Sequence, residues 1–302
     1  MPEKNETRYC LNCDHHLQEK DHYCPRCGQK KMEHRLSFRE FISDFFSNYL
    51  SWDSRFGRSI SPFLFNPGFL TNKYLEGKRM SYVNPIRFYV LISFLFFLLL
   101  SLLVDDSIVG VNSSQYPNGD SLTTTFSINP LDSIAQNPEL DQDTQELIEG
   151  ILQYSEGNED KFTRDGIKKL IQNPTNFFQY YISKLPIMMF ILMPVYALVL
   201  WFFFWNRHPF YLQHLIHTLH LHAFMFFFLI IITLFVELVG SYTWLNWIFA
   251  LAFLTYVFFS FKKVYRQKYL TILYKYLLIG TTYFFLLLFF SIGALLVSIY
   301  LF

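Results

Sequence analysis

Four cysteines and a crowd of histidines are the residues of this chain whose types and spacing could do chemistry. All four cysteines fall in CLNCDHHLQEKDHYCPRCG, at Cys10, Cys13, Cys24 and Cys27. Two C-x-x-C pairs, each able to wrap a tight turn round one ion, match the four-thiolate tetrahedral site of a zinc ribbon. Gly28 after Cys27 suits a knuckle whose backbone amides point at the thiolates. The cofactor expected is one structural Zn2+. Disulfides do not persist in a cytoplasmic setting, which leaves a redox dithiol pair as the competing reading. A motif this short cannot build a core, so metal would supply its folding free energy, on the order of 10 kcal/mol or more. His15, His16 and His22 are spare ligands that read as surface residues beside four thiols. Residues 1–35 hold seven basic and six acidic side chains. Phosphate binding needs an uncompensated basic patch, so no nucleic-acid partner is expected. The ribbon reads as a protein-contact or stabilising module.

The second set lies in HPFYLQHLIHTLHLHAF, residues 208–224, which holds His208, His214, His217, His220 and His222. On a helix at ~100° per residue, His214, His217 and His220 share an arc of about 120°, and His222 lies beyond it. The four form a candidate second metal or proton site, with the three on one arc as the expected ligands. A metal there would need further ligands from another helix or from the cytoplasmic joint, where Glu40, Asp44, Asp53 and Glu76 are the acids available. Two other readings stand beside metal or haem ligation. Imidazoles suit a wet, anionic membrane edge, and they suit a proton-linked switch.

Lipid-spanning helices are the elements that must position both sets. With 52% hydrophobic and 16% charged residues, the chain is well short of the charged quarter usual in soluble domains. A spanning helix needs about 20 apolar residues, and five stretches qualify: 88–104, 185–205, about 218–239, 241–261 and 276–302. The fold class expected is mainly α, a polytopic helical membrane protein of about five spans with a small amino-terminal zinc ribbon. Its parts are a ribbon over 1–35, amphipathic juxtamembrane helices over 36–87, and a membrane domain over 88–302 whose segment 105–184 is extracytoplasmic. The first thirty-five residues are polar, so no cleavable signal peptide is expected. Residues 1–87 carry fourteen Lys and Arg, and 262–275 adds Lys262, Lys263, Arg266, Lys268 and Lys275. The 105–184 segment has five basic residues against thirteen acidic ones. Basic segments stay inside. The location expected is the cytoplasmic (inner) membrane, multi-pass, with the amino terminus cytoplasmic and the carboxyl terminus outside. Glu237 breaks the third stretch near its end and reads as a boundary residue rather than part of an ion path.

Between ribbon and membrane, LSFREFISDFFSNYL (36–50) has helical apolar spacing, with Ser37 and Glu40 set as a capping box. In NPGFLTNKYLEGKRMSYVNPIRFYV (66–90), Asn66 and Pro67 suit a helix start and Gly77 its stop. Lys78, Arg79 and Arg87 are the candidate headgroup or partner contacts. The order of CxxC ribbon, NPG turn, YLEGKRMSYVNPIRFY and a late HLIHTLHLHAF resembles a bacterial family known as domain of unknown function 3667. Gly77, Lys78, Arg79, Tyr82, Pro85, His214, His220 and His222 fit that pattern, and His217 has no position in it. The resemblance implies architecture, a membrane protein with an amino-terminal zinc ribbon, and carries no activity.

The acidic 105–184 segment lacks histidine, so it offers no Ser-His-carboxylate arrangement; two short helices are expected over 139–183. No internal repeat is evident, which removes the inverted-repeat argument for a transporter. The reading that results is a non-enzymatic, ribbon-bearing platform that binds or organises a protein or lipid partner at the cytoplasmic face, with membrane lipids as its surroundings. A transporter or channel, and a membrane-embedded enzyme using the 208–222 histidines, are the alternatives.

Overall fold

A computed structural model describes residues 9–31, 37–39, 41–42, 54–108, 174–240 and 242–301. Seven helices lie among them: α1 Ser54–Phe65, α2 Phe69–Leu75, α3 Pro85–Ile108, α4 Pro174–Phe204, α5 Tyr211–Val239, α6 Thr243–Tyr265 and α7 Tyr269–Leu301. The molecule is mainly helical, as its composition requires. Five helices contain stretches long and apolar enough to cross a membrane: Pro85–Leu103, Tyr180–Phe204, Tyr211–Val239, Thr243–Tyr265 and Tyr269–Leu301.

Three boundaries differ from the expected ones. The third span begins at Tyr211 rather than near 218, and the fifth at Tyr269 rather than 276. The second grows from a helix that already starts at Pro174. Polar residues at these starts lower the hydropathy that marks a span, yet they keep helical geometry where other parts of the protein satisfy them. The expected 36–50 helix is described only at 37–39 and 41–42, where Phe41 is fully buried and edge-on to Tyr74. Glu40, Asp44 and Asp53 lie outside the described residues, as does 139–173 of the stretch expected to form two short helices over 139–183, whose last ten residues belong to α4.

The chain divides into two compact units. The first comprises residues 1–99 and 193–284 and contains both candidate sites. Its joint starts in α1, where the buried Ser59 hydroxyl donates to the Arg55 carbonyl at 2.8 Å and accepts the Val83 amide at 3.1 Å. One side chain thereby pins the α2–α3 connection to α1. Asn84 caps α3 through its Oδ1 to the Ile86 amide at 2.9 Å, with Pro85 in the first helical position, where no amide hydrogen is needed.

The expected start of α2 is shifted. Gly68, not Asn66, is the N-cap, at φ 73°, and a Cβ there would sit 3.0 Å from the Ser260 carbonyl oxygen. Only glycine lets the chain approach α6 so closely. The expected stop holds: α2 ends at Leu75, with Gly77 following at φ 92°. Phe63 then stacks edge-on against Phe88 and Phe224, and Phe224 lies face to face with Tyr256 at 3.4 Å. The Tyr256 hydroxyl donates to the Phe63 carbonyl. A second core of Tyr196, Leu200, Phe204, Leu221, Phe261 and Tyr265 fills the space near the α6–α7 turn.

The second unit comprises residues 100–192 and 285–302. Within it Tyr181 and Ser291 share a 2.7 Å hydrogen bond between α4 and α7.

Candidate metal centre

The amino-terminal cysteines sit in two equivalent knuckles. In the first, the Cys10 amide donates to the His15 carbonyl at 2.8 Å and the Asp14 amide to the Cys10 carbonyl at 2.9 Å. Fourteen residues further on, the Cys24 amide donates to Gln29 and the Gly28 amide to Cys24, both at 2.8 Å. Each turn closes through a left-handed residue, Asp14 at φ 57° and Gly28 at φ 72°. Each is flanked by an antiparallel bridge, Tyr9 with His16 and Tyr23 with Lys30. The chain therefore has an internal repeat, YCLNCD and YCPRCG, too short to register as one against 302 residues. Asp hides the match with Gly, but both residue types tolerate the left-handed region.

The repeat brings the four sulfurs within 4.8 Å of one another. Cys10 Sγ lies 3.5 Å from Cys27 Sγ, and Cys13 Sγ lies 3.6 Å from Cys24 Sγ. A tetrahedral ion with metal–sulfur bonds of ~2.3 Å sets its sulfurs about 3.8 Å apart. The thiols fit a metal ion and none is in a disulfide. Desolvation holds the Cys10, Cys13 and Cys27 thiols above their ordinary value. Desolvation also pushes on Cys24, but hydrogen bonds from the Cys27 and Arg26 backbone and from neighbouring thiols outweigh it and bring that thiol down to about 7. His16 and His22 are exposed and His15 half-buried. The rest of the ribbon's interior is little more than Leu17.

Residues between and beside the ligands grip the joint. Gln29 is buried, and its side-chain amide donates to the Gly77 carbonyl at 2.8 Å while accepting the Arg79 amide at 3.2 Å. Asn12 Oδ1 accepts both the amide and the hydroxyl of Ser81, at 3.1 and 2.9 Å. A Cβ at Gly77 would fall 2.8 Å from Leu11 Cδ1. Leu11, Asn12, Gln29 and Ser81 make contacts that motif spacing misses, because their partners lie 48 to 69 residues away. Lys78 and Arg79 belong to this clasped loop, both half-buried. The Arg79 guanidinium lies 5.6 Å from the centre of the Tyr74 ring. Arg87 is half-buried in the first turn of α3.

The histidines are placed differently. His214, His217, His220 and His222 are all buried, at 0, 0, 7 and 3% exposure, so they are not residues of a wet edge. They lie inside α5 and face the protein because it supplies partners for them. His214 Nε2 donates to the His208 carbonyl at 2.8 Å. For a neutral ring its Nδ1 is then an acceptor, and the Tyr265 hydroxyl donates to it at 3.0 Å. That hydroxyl has one hydrogen, so at 3.2 Å it accepts from His217 Nδ1. His217 Nε2 in turn accepts from Ser260 at 3.0 Å. One buried phenol thus orders two imidazoles into a single directed chain from Ser260 to the His208 carbonyl.

His222 Nδ1 donates to the Thr218 carbonyl at 2.9 Å, leaving Nε2 to accept from Tyr283 at 3.0 Å. His220 Nδ1 meets the Thr71 hydroxyl at 2.9 Å, tying α5 to α2. His220, Thr71 and Ser260 also line a small recess together with Phe63 and Tyr256. Among the described residues, the cysteines are the group of three or more ligand side chains that converges on one point. The span histidines distribute over three sets of partners. Of the acids considered with them, Glu76 is described, and it pairs with Lys73 at 2.7 Å.

No curated protein and no solved structure matches the chain. Residues 53–97 match the model of a family described as "Protein of unknown function (DUF3667)". This stretch covers α1, α2, the loop clasped by Asn12 and Gln29, and the first half of α3. It includes neither the cysteines nor the α5 histidines. Over residues 53–97, and over that stretch alone, the match supports the likeness to this family that YLEGKRMSYVNPIRFY suggests.

Proposed function

We propose that the chain is a multi-pass protein of the cytoplasmic membrane whose zinc ribbon forms, with the joint at α1 and α2, a non-enzymatic platform for a protein or lipid partner. The observation that carries this reading is the seating of both knuckles on the Gly77–Ser81 loop that leads into α3. A ribbon tethered by a free linker would sample many orientations. This one is held on the loop that leads into the first span, and Tyr9 and Tyr23, at equivalent positions of the two knuckles, stay exposed.

Zinc is the ion assigned. It favours four thiolates in tetrahedral array and has no redox chemistry to disturb a structural site. Cys10, Cys13, Cys24 and Cys27 hold it. Lys78, Arg79 and Arg87 are the joint's cationic residues toward headgroups or a partner, and His214, His217, His220 and His222 brace the joint rather than bind metal. The amino terminus is cytoplasmic and, with five spans, the carboxyl terminus is outside. Two observations support that orientation. The 262–275 connection is basic. The α6 end within it touches the joint through Asn72 on the Lys263 carbonyl and Lys263 on Asn66.

Photo-crosslinking in native membranes tests the platform, with the probe installed at the exposed positions 9, 23 and 26 of otherwise intact protein. A discrete protein or lipid adduct, lost in Cys24→Ser, is expected. Absence of any adduct at all three positions contradicts the platform reading.

A further inference from the structure

The residues that clasp the membrane joint are the same residues that the metal site must hold in place. Leu11 and Asn12 are the two residues between Cys10 and Cys13, and Gln29 is the second residue after Cys27. Among the described residues 9–31, Leu17 is the buried apolar residue that joins the cysteines in the ribbon's core. That is far too little apolar surface to hold a fold without its ion. The clasped loop differs. Its downstream end is secured independently, by Ser59 on the Val83 amide and by Asn84 capping α3.

We infer that the ribbon is a metal-gated latch: Zn2+ at the four thiols closes Leu11, Asn12 and Gln29 on the Gly77–Ser81 loop, and loss of the ion releases that loop. The latch rests on the zinc assignment made above and is independent of who the partner is. It gives the platform a regulated state, because the basic Lys78–Arg79 segment is clasped when the ion is bound and free to move when it is not. Gly77 is the point of closest approach, where any side chain would strike Leu11. Binding linkage is reciprocal. If the ion closes the clasp, the clasp must raise affinity for the ion. Loop substitutions that never touch a thiol must then weaken zinc binding.

The test uses full-length protein in detergent, Zn2+ as the sole probe, and a competing chelator to measure affinity. Ser81→Ala removes the hydroxyl that donates to Asn12 while keeping the amide that also donates to it, and Gly77→Val drives side-chain atoms into Leu11. We expect one zinc per chain in both variants, with affinity lowered about 5–150-fold in Gly77→Val, the usual span of coupling between sites, and less in Ser81→Ala. Amide hydrogen exchange supplies the reciprocal readout. Protection at Ser81 should be lost on chelation and that at Arg79, whose amide also meets the Gly77 carbonyl at 3.0 Å, should fall, while protection at Val83 and Phe88 stays. Unchanged zinc affinity in both variants, with exchange at Arg79 and Ser81 indifferent to zinc, overturns the latch and leaves the zinc ribbon standing. Wild-type protein that binds no zinc overturns the ribbon itself, and the latch with it.

Discussion

The ribbon and the imidazole-lined interior of α5 use the same class of side chain, good metal ligands in a tight sequence cluster, to opposite ends. Four thiols converge to within 4.8 Å, and little beyond Leu17 is buried with them. Four imidazoles spread out to Tyr265, Ser260, Thr71 and Tyr283, on a helix packed among large aromatic side chains. What separates them is what each segment lacks. The described ribbon residues bury little apolar surface, and an ion at the four thiols would supply the order that a core supplies elsewhere. Helix α5 has apolar surface in plenty and carries polar groups that must be satisfied inside the protein. An unpaired polar group costs more in an apolar setting than in water. Ligand-type residues alone therefore do not announce a metal; convergence does.

Metal removal should break the comparison open most widely. Chelation of the full-length protein is expected to unfold residues 9–31, a loss on the order of 10 kcal/mol of metal-linked folding energy. The helical circular dichroism of the spans should stay. Collapse of the helical signal together with the ribbon would show that the two regions are not energetically distinct.

A smaller effect is expected from Tyr265→Phe. The ring and its 3.6 Å stack on Phe204 survive, and only the hydroxyl between His214 and His217 is lost. Each ring nitrogen left unpartnered costs ~1–3 kcal/mol, so thermal or denaturant unfolding in detergent should register a clear loss of stability. Zinc content should not change. Wild-type stability in this variant would mean that the directed chain from Ser260 to His208 carries no energy.

Glu237 should give the smallest effect. It is exposed near the end of α5, three residues before the Gly240 cap. Glu237→Gln is expected to alter stability by no more than about 0.5 kcal/mol, as for most surface changes. It should also leave the phenotype of the intact gene alone. A null phenotype at normal protein level would return the transport reading to the front.

The spans and the cysteine site were legible in the sequence because each has a local signal. About twenty apolar residues mark a span, and two C-x-x-C pairs mark a four-thiolate turn. The start of α5 at Tyr211 was not legible. Its histidines depress the hydropathy of that turn, and what makes them compatible with a buried helix, Tyr265 and Ser260, lies 43 to 51 residues away. Helical spacing did separate His222 from the other three, and the structure gives it a separate partner in Tyr283. The clasp was invisible for the same reason of distance. Nothing near Asn12 points to Ser81, 69 residues on. Gly77 marks a helix stop by its type and place, and it is one, but its close approach to Leu11 needs the fold. The left-handed Asp14 carries no such signal either, because aspartate, unlike the glycine at the equivalent position of the second knuckle, does not by its type mark a positive φ.

Metal analysis of three full-length proteins, purified without chelator in mild detergent, tests the division between these two regions most directly. Wild type and His220→Ala should each carry one zinc per chain, and Cys24→Ser should carry none. Zinc retained in Cys24→Ser, or lost in His220→Ala with the helices intact, would contradict the assignment of the metal to the thiols and of the imidazoles to the protein's own interior.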